Sequence, residues 1–222
     1  MKARVEEDVA KHVVEWLDTQ GWEVYQEVQI ATYGVVADII AVQKPLLWII
    51  ECKTSLSIAV MEQAYRWKGY ANFVSVAVPK SNNRRGRAFA ETILKNFGIG
   101  LLNVRGNDVH ENISPLLNRK PSKKRILAIL HDEQKTYAAA GNANNKRWTP
   151  YQQTCINILQ EVNKQPGITM KELMERIKHH YQTNATARSC LYRWAGMGII
   201  KGVCVKRDGR LIRFYPISPD EG

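Results

Sequence analysis

The sequence predicts an α/β protein, with a mixed sheet flanked by helices in its first half and a mainly α unit closed by a hairpin behind it. Three observations predict this. Apolar runs of strand length alternate with amphipathic helical stretches up to about residue 118, with Gly and Pro at the junctions. A small, polar, turn-rich stretch at 138–146 then interrupts the pattern and reads as a flexible linker. Beyond Trp148, three short helical stretches precede two apolar runs joined through Asp208-Gly209, a strong hairpin signal. The 222 residues allow one large or two modest domains. The expected division is 1–118, a basic helix and linker over 119–147, and a second domain over 148–222.

The first helix is marked by Val5, Val9, Val13, Trp16 and Leu17 on one face. At about 100° per residue, Glu6 falls near the middle of that face and Glu7 toward its edge. Asp8, Lys11, Glu15 and Asp18 take the opposite side. A glutamate inside a buried stripe is anomalous unless it reaches a site. Two strands follow, Val35–Val42 and Leu46–Lys53, both rich in β-branched residues and joined by a turn at Lys44-Pro45. A helix over 56–73 carries Gln63. Then come a strand at Val74–Val78, a helix from about Arg85 to Phe97 and a strand over 98–104. The basic cluster Arg84-Arg85-Gly86-Arg87 opens that later helix.

The two apolar strands carry ionisable residues where apolar ones are expected. Asp38 is followed, thirteen residues later, by Glu51-Cys52-Lys53. If the runs pair as a hairpin, alternation puts Glu51 and Lys53 on one face with Asp38, and Cys52 on the other. A lone buried carboxylate is costly, but two that converge make sense around a divalent cation. Two hard oxygen ligands suit Mg²⁺, which keeps waters and takes phosphate oxygens as further ligands. A nearby ammonium can position the attacking water or offset charge in a phosphoryl-transfer transition state.

The pattern Asp38…Glu51-x-Lys53, preceded by a helix with an acidic residue and followed by a helix with Gln63, resembles the core of the PD-(D/E)xK nucleases, the restriction-endonuclease-like fold. The resemblance covers roughly the first half of the chain, and Ala37 stands where the family name has proline. It implies that Asp38, Glu51 and the Cys52 carbonyl bind Mg²⁺, with Mn²⁺ able to substitute. Glu6, with Glu7 as the alternate, completes the site or helps a second ion. Lys53 acts on the water. Gln63 orients that water or touches the nucleic-acid backbone, and Gln63-Ala64-Tyr65-Arg66-Trp67 is similar to the Gln-xxx-Tyr element of some branches, with Trp67 in place of tyrosine.

In the second unit, Thr149 caps a helix that has Pro150 at its first position and runs to about Lys164. Thr169 and Glu172 form a capping box for the next helix. Thr183 or Asn184 starts a third, with Ala187, Leu191, Trp194 and Ala195 inward. Three helices and a basic hairpin resemble the winged-helix DNA-binding fold. That resemblance implies that Thr186, Arg188, Ser189, Tyr192 and Arg193 face DNA, with Lys206, Arg207 and Arg210 on the wing against phosphate.

Charge agrees. Positions 1–118 hold 13 basic and 13 acidic residues, whereas 119–222 hold 19 and 8, which carry the whole net charge of +11. Such asymmetry points to nucleic acid. No apolar run approaches membrane-spanning length and no signal peptide is visible. The four cysteines show no CxxC and no zinc spacing, which suits a reduced, cytoplasmic protein. The expectation is a Mg²⁺-dependent DNA endonuclease with a DNA-holding second domain; a double-strand cut would require a homodimer or two sequential nicks, and a partner subunit is the other arrangement the sequence leaves open. The alternatives are an endonuclease subunit of a larger transposition, restriction or phage machine, or a silent nuclease fold that only binds DNA. RNA is a weaker substrate choice, since no aromatic stacking motif of an RNA-binding module is present.

Overall fold

The computed structural model describes residues 5–30, 35–81, 86–137, 139–141, 148–209 and 211–217. The chain divides into two compact units, Met1–Trp148 and Thr149–Gly222.

The first unit runs α1 (Glu6–Thr19), β1 (Glu23–Ile30), β2 (Val35–Gln43), β3 (Leu46–Cys52), α2 (Ile58–Arg66), β4 (Phe73–Pro79), α3 (Arg87–Phe97), β5 (Gly100–Arg105) and β6 (Asp108–Ile113). The six strands form one mixed sheet in sequence order. β3, β4 and β5 are parallel and the outer pairs antiparallel. Parallel neighbours need long crossovers, and α2 and α3 supply them. α1 covers one face, packing Val9, Ala10, Val13 and Leu17 on Ile39, Ala41, Trp48 and Ile50. Trp48 is ringed edge-on by Trp16, Trp22 and Phe73, and its indole N–H donates to Ser75 Oγ at 3.0 Å. On the other face Ile40, Leu47, Ile49, Val76 and Val78 pack against Val60, Ala64 and Leu94 of α2 and α3. Two apolar layers on a sheet of this kind are what an α/β architecture requires. Gly100 permits a tight β4–β5 contact, since a Cβ there would lie 2.3 Å from Ser75 Oγ.

Several bounds differ from the sequence reading. The helix expected over 56–73 is α2 alone, because the Ser57 hydroxyl caps its start and a 3₁₀ turn over Trp67–Gly69 ends it. α3 starts at Arg87, and Arg84 and Arg85 lie outside the described residues. β5 starts at Gly100, since Gly98 closes α3 in the left-handed region. Val5 is 56% exposed and precedes α1 instead of belonging to its buried face. Strands β1 and β6 were not anticipated.

The segment 119–147 needs the largest correction. Its long helix is replaced by a short α4 (Lys124–Leu127) and a 3₁₀ turn over Asp132–Lys135. The described part packs within the first unit, and of the stretch read as a linker only 139–141 is described. Ile126 is buried in the α2–α3 layer. Gln26 of β1 donates to the Lys135 carbonyl and accepts from the Ala140 N–H, both at 3.0 Å. Lys123 donates to Asn72 Oδ1 at 2.9 Å and to the Pro45 carbonyl. Residues 142–147 lie outside the described residues. With the basic run 119–125 assigned here, the first unit holds 21 basic and 15 acidic residues, so the positive charge is not confined to the second.

The second unit runs α5 (Pro150–Lys164), β7 (Ile168–Thr169), α6 (Met170–Arg176), α7 (Asn184–Gly196), β8 (Val203–Asp208) and β9 (Leu211–Pro216). Its sheet has the order β7-β9-β8. The Thr149 and Thr183 hydroxyls accept from the Gln152 and Thr186 N–H groups, and Thr169 and Glu172 cap α6 reciprocally. The core is Ile158, Val162, Leu173, Ala187, Leu191 and Phe214 with their neighbours. The first strand of the hairpin starts at Val203, and β7 was not anticipated.

Candidate active site

The site forms where β2 and β3 part. Their ladder ends at Ile39–Ile50, so Asp38 and Glu51 stand opposite each other just beyond it. The next backbone group along β3, the Cys52 N–H, donates to Asp38 Oδ2 at 2.8 Å. Asp38 and Glu51 are both buried. Glu51 takes the α2 side, where Trp67 Nε1 donates to its Oε1 at 2.6 Å. Lys53 places its ammonium 3.2 Å from Asp38 Oδ2 and 3.1 Å from Glu6 Oε2. Thus Glu6, Asp38, Glu51 and Lys53 come together from α1, β2 and β3. Glu6 is the helix carboxylate that reaches Lys53, while Glu7 is exposed.

The electrostatics are unbalanced. Burial pushes the Glu51 carboxyl up from 4.5 to about 8, Asp38 opposite adds to the rise, and the Trp67 bond offsets part of it. Burial therefore favours the protonated form of Glu51 over that of an ordinary glutamate. Burial alone would lower Lys53, but the Asp38 and Glu6 carboxylates outweigh it and hold the ammonium above the usual lysine range. Lys53 is thus a fixed cation and not a ready base. The Cys52 thiol lies in the α1-side core, and burial, then the nearby carboxylates, raise its pKa. Cys52 touches the site through its N–H.

These groups fit Mg²⁺. Two hard-oxygen residues are buried opposite each other, and a divalent cation would offset both the cost of burying them and their mutual repulsion. Among the described residues, no three His, Cys, Asp or Glu side chains are poised as a metal cage. An ion held here would take its remaining ligands from water and phosphate, as Mg²⁺ sites commonly do.

Gln63 lies on α2 one turn before Trp67 and shares its face. Its Oε1 is buried without a hydrogen-bond partner among the described residues, which is costly unless a ligand or water fills the need. Sequence reasoning missed Glu27. It is buried on β1, falls opposite Asp38 in the β1–β2 register, and has a left-handed backbone at φ 51°. Its Oε1 accepts from the Gly141 N–H at 2.8 Å. The stretch Val24–Ile30 also carries Gln26 and Gln29, so Glu27 interrupts no apolar run in the sequence.

In the second unit, Thr186, Arg188, Ser189, Tyr192 and Arg193 are all exposed on α7. Lys206 and Arg207 are exposed on β8, with Lys206 Nζ 5.4 Å from the Tyr215 ring centre. Arg210 lies outside the described residues. The cysteines are free, and Cys52 is buried. Among the described residues, no helix is long and apolar enough to cross a membrane. Set against family models, curated proteins and solved structures, the chain matches none.

Proposed function

We propose that this chain is a metal-dependent DNA endonuclease of the PD-(D/E)xK type, with a second unit that binds DNA as a winged helix. The observation that carries the reading is the buried Asp38–Glu51 pair with Lys53 laid against it. Asp38 and Glu51 would hold Mg²⁺, which supplies Lewis-acid polarisation of a phosphate oxygen and acidifies an attacking water. Lys53, kept protonated, donates to a non-bridging phosphate oxygen and offsets charge in the transition state. Glu6 positions Lys53. Gln63 Oε1 accepts a hydrogen bond from the incoming water and orients it. The exposed face of α7 and the basic hairpin suit the second unit to a DNA groove and its phosphates.

A partner-dependent subunit is the second reading. It is favoured by Lys53, which rests on Glu6 and Asp38 and ties the carboxylates together in the isolated chain. The test is cleavage of supercoiled, linear and branched DNA with Mg²⁺ or Mn²⁺, by wild type, Asp38→Ala and Lys53→Ala. Each substitution is expected to lower cleavage at least ~100-fold with DNA binding retained. Binding without cleavage by wild type on every substrate would favour the partner-dependent or silent reading.

A further inference from the structure

A second cluster of charge lies on the same side of the first unit's sheet. By strand alternation, Lys80, just past β4, and Asn103 and Arg105 on β5 point to the α2–α3 face, as Val78 and Leu101 do. His110 of β6 pairs with Asn103 and shares that face. Glu51 and Lys53 also take it, at the same ends of the parallel strands. The β3–β4–β5 registers place Lys53, Val78 and Asn103 in one row across the sheet. At about 4.8 Å per strand, the cluster begins roughly 10 Å from Lys53.

The groups line a cleft of about 580 Å³ with Arg87 and Ser81. Arg87 is pre-oriented: its Nε donates to Glu91 at 2.8 Å and a terminal nitrogen donates to the buried Asn103 Oδ1 at 2.7 Å. Lys80 and Arg105 are exposed and form no ion pair among the described residues. Asp108 faces Arg105 in the β5–β6 register, but no ion pair joins them. A second cleft of about 430 Å³ also contains Ser81 and Arg87 and extends to Thr54 and Ser55, immediately after Lys53. The two clefts share Ser81 and Arg87, so together they run from the residues that follow Lys53 to the cations. Phe89, 69% exposed, borders the second.

We propose that this path is a strand-binding subsite, in which Lys80, Arg87 and Arg105 take the phosphates of a nucleic-acid single strand leaving the Asp38–Glu51 site. The proposal deepens the nuclease reading and rests on it for the direction of the strand. Ligands of open α/β sheets lie beyond the carboxyl ends of the strands, and a cationic groove beside an aromatic ring is what a single strand recognises. Free Lys80 and Arg105 make the salt-dependent contacts. Arg87, fixed by Asn103, sets their register.

The experiment measures binding of a fluorescein-labelled single-stranded oligonucleotide to the full chain by anisotropy across a salt series in EDTA. Each lost phosphate contact lowers the log–log salt slope by about 0.7 for single strands. Lys80→Ala/Arg105→Ala is therefore expected to lower the slope by about 1.4 and the affinity roughly 20-fold at 0.1 M salt. Lys68→Ala/Arg125→Ala, in a separate cleft lined by Tyr65 and Tyr70, is expected to leave both unchanged. An unchanged slope in the first variant, or a loss confined to the second, overturns the subsite. Displacement by inorganic phosphate at matched ionic strength would identify a pocket for a small phosphoanion and overturn the strand assignment. Binding is read without divalent metal, so the two proposals fail separately. A lowered slope with no cleavage leaves the subsite standing, and intact cleavage with an unchanged slope sinks the subsite alone.

Discussion

The carboxylate corner of the first unit and the exposed face of α7 in the second carry their polar residues on opposite terms. Asp38 and Glu51 are 8% and 3% exposed, so each is held against a desolvation cost. Arg188, Tyr192 and Arg193 stand in water and cost the fold almost nothing. Buried ionisable groups with perturbed protonation are therefore a strong sign of a task, because packing alone would select apolar residues there. Exposed basic residues are a weak sign, because a solvated surface needs no further reason. The comparison implies that neutralising Glu51 should strengthen the fold at high pH, whereas neutralising α7 should leave it unchanged.

The largest expected effect is at Glu51. Its folded pKa is raised to about 8 from an ordinary 4.5. A raised pKa contributes stability that is complete below about pH 4.5 and is lost as pH rises through 8, since the folded state binds the extra proton in that window. The loss is on the order of 4 kcal/mol. Glu51→Gln keeps an oxygen for the Trp67 N–H and carries no proton to lose. In EDTA the variant is expected to unfold on the order of 10 °C higher than wild type at pH 9 and at nearly the same temperature at pH 4.5. Millimolar Mg²⁺ should then raise the wild-type midpoint at pH 9 and leave the variant's unchanged. Parallel pH profiles for the two proteins would break the contrast between the regions.

Gly141 gives the next largest effect. Its φ is +74°, and a Cβ there would lie 2.7 Å from the Glu6 backbone carbon. Gly141→Ala combines left-handed strain of about 1–2 kcal/mol with a push on the start of α1, which carries Glu6 to Lys53. A loss of about 2 kcal/mol is expected by denaturant unfolding, together with weaker cleavage. Retained cleavage at that loss would show that Lys53 does not depend on Glu6 for its position.

That contact also shows what was legible in the sequence and what was not. Asp38, Glu51 and Lys53 could be read because they interrupt runs otherwise apolar. Thr149-Pro150 and the Thr169–Glu172 box could be read because capping is settled within four residues. Glu27 could not, since its left-handed backbone and its bond to Gly141 depend on a partner more than a hundred residues away. β6 hid for a different reason: Asp108–Ile113 is an edge strand with four exposed positions and little alternation. The segment after 118 was read as a basic helix and then a linker, from a composition that is basic at first and small and polar later. What ties it down is long-range: Gln26 to Lys135 and Ala140, and Lys123 to Asn72.

The smallest expected effect tests the other half of the comparison. Arg188 and Tyr192 are four residues apart on the exposed face of α7, and neither is buried. Arg188→Ala/Tyr192→Ala is expected to change unfolding free energy by less than about 0.5 kcal/mol. If α7 reads base edges, the same variant loses about 1–3 kcal/mol of discrimination at one position of its site. A phosphate-only contact would lower affinity for all sequences alike. Selection of bound duplexes from a random pool by wild type and variant separates these outcomes. A shared preference in both pools would move specificity off α7 and leave the carboxylate corner as the one of the two regions whose residues the fold holds at a cost.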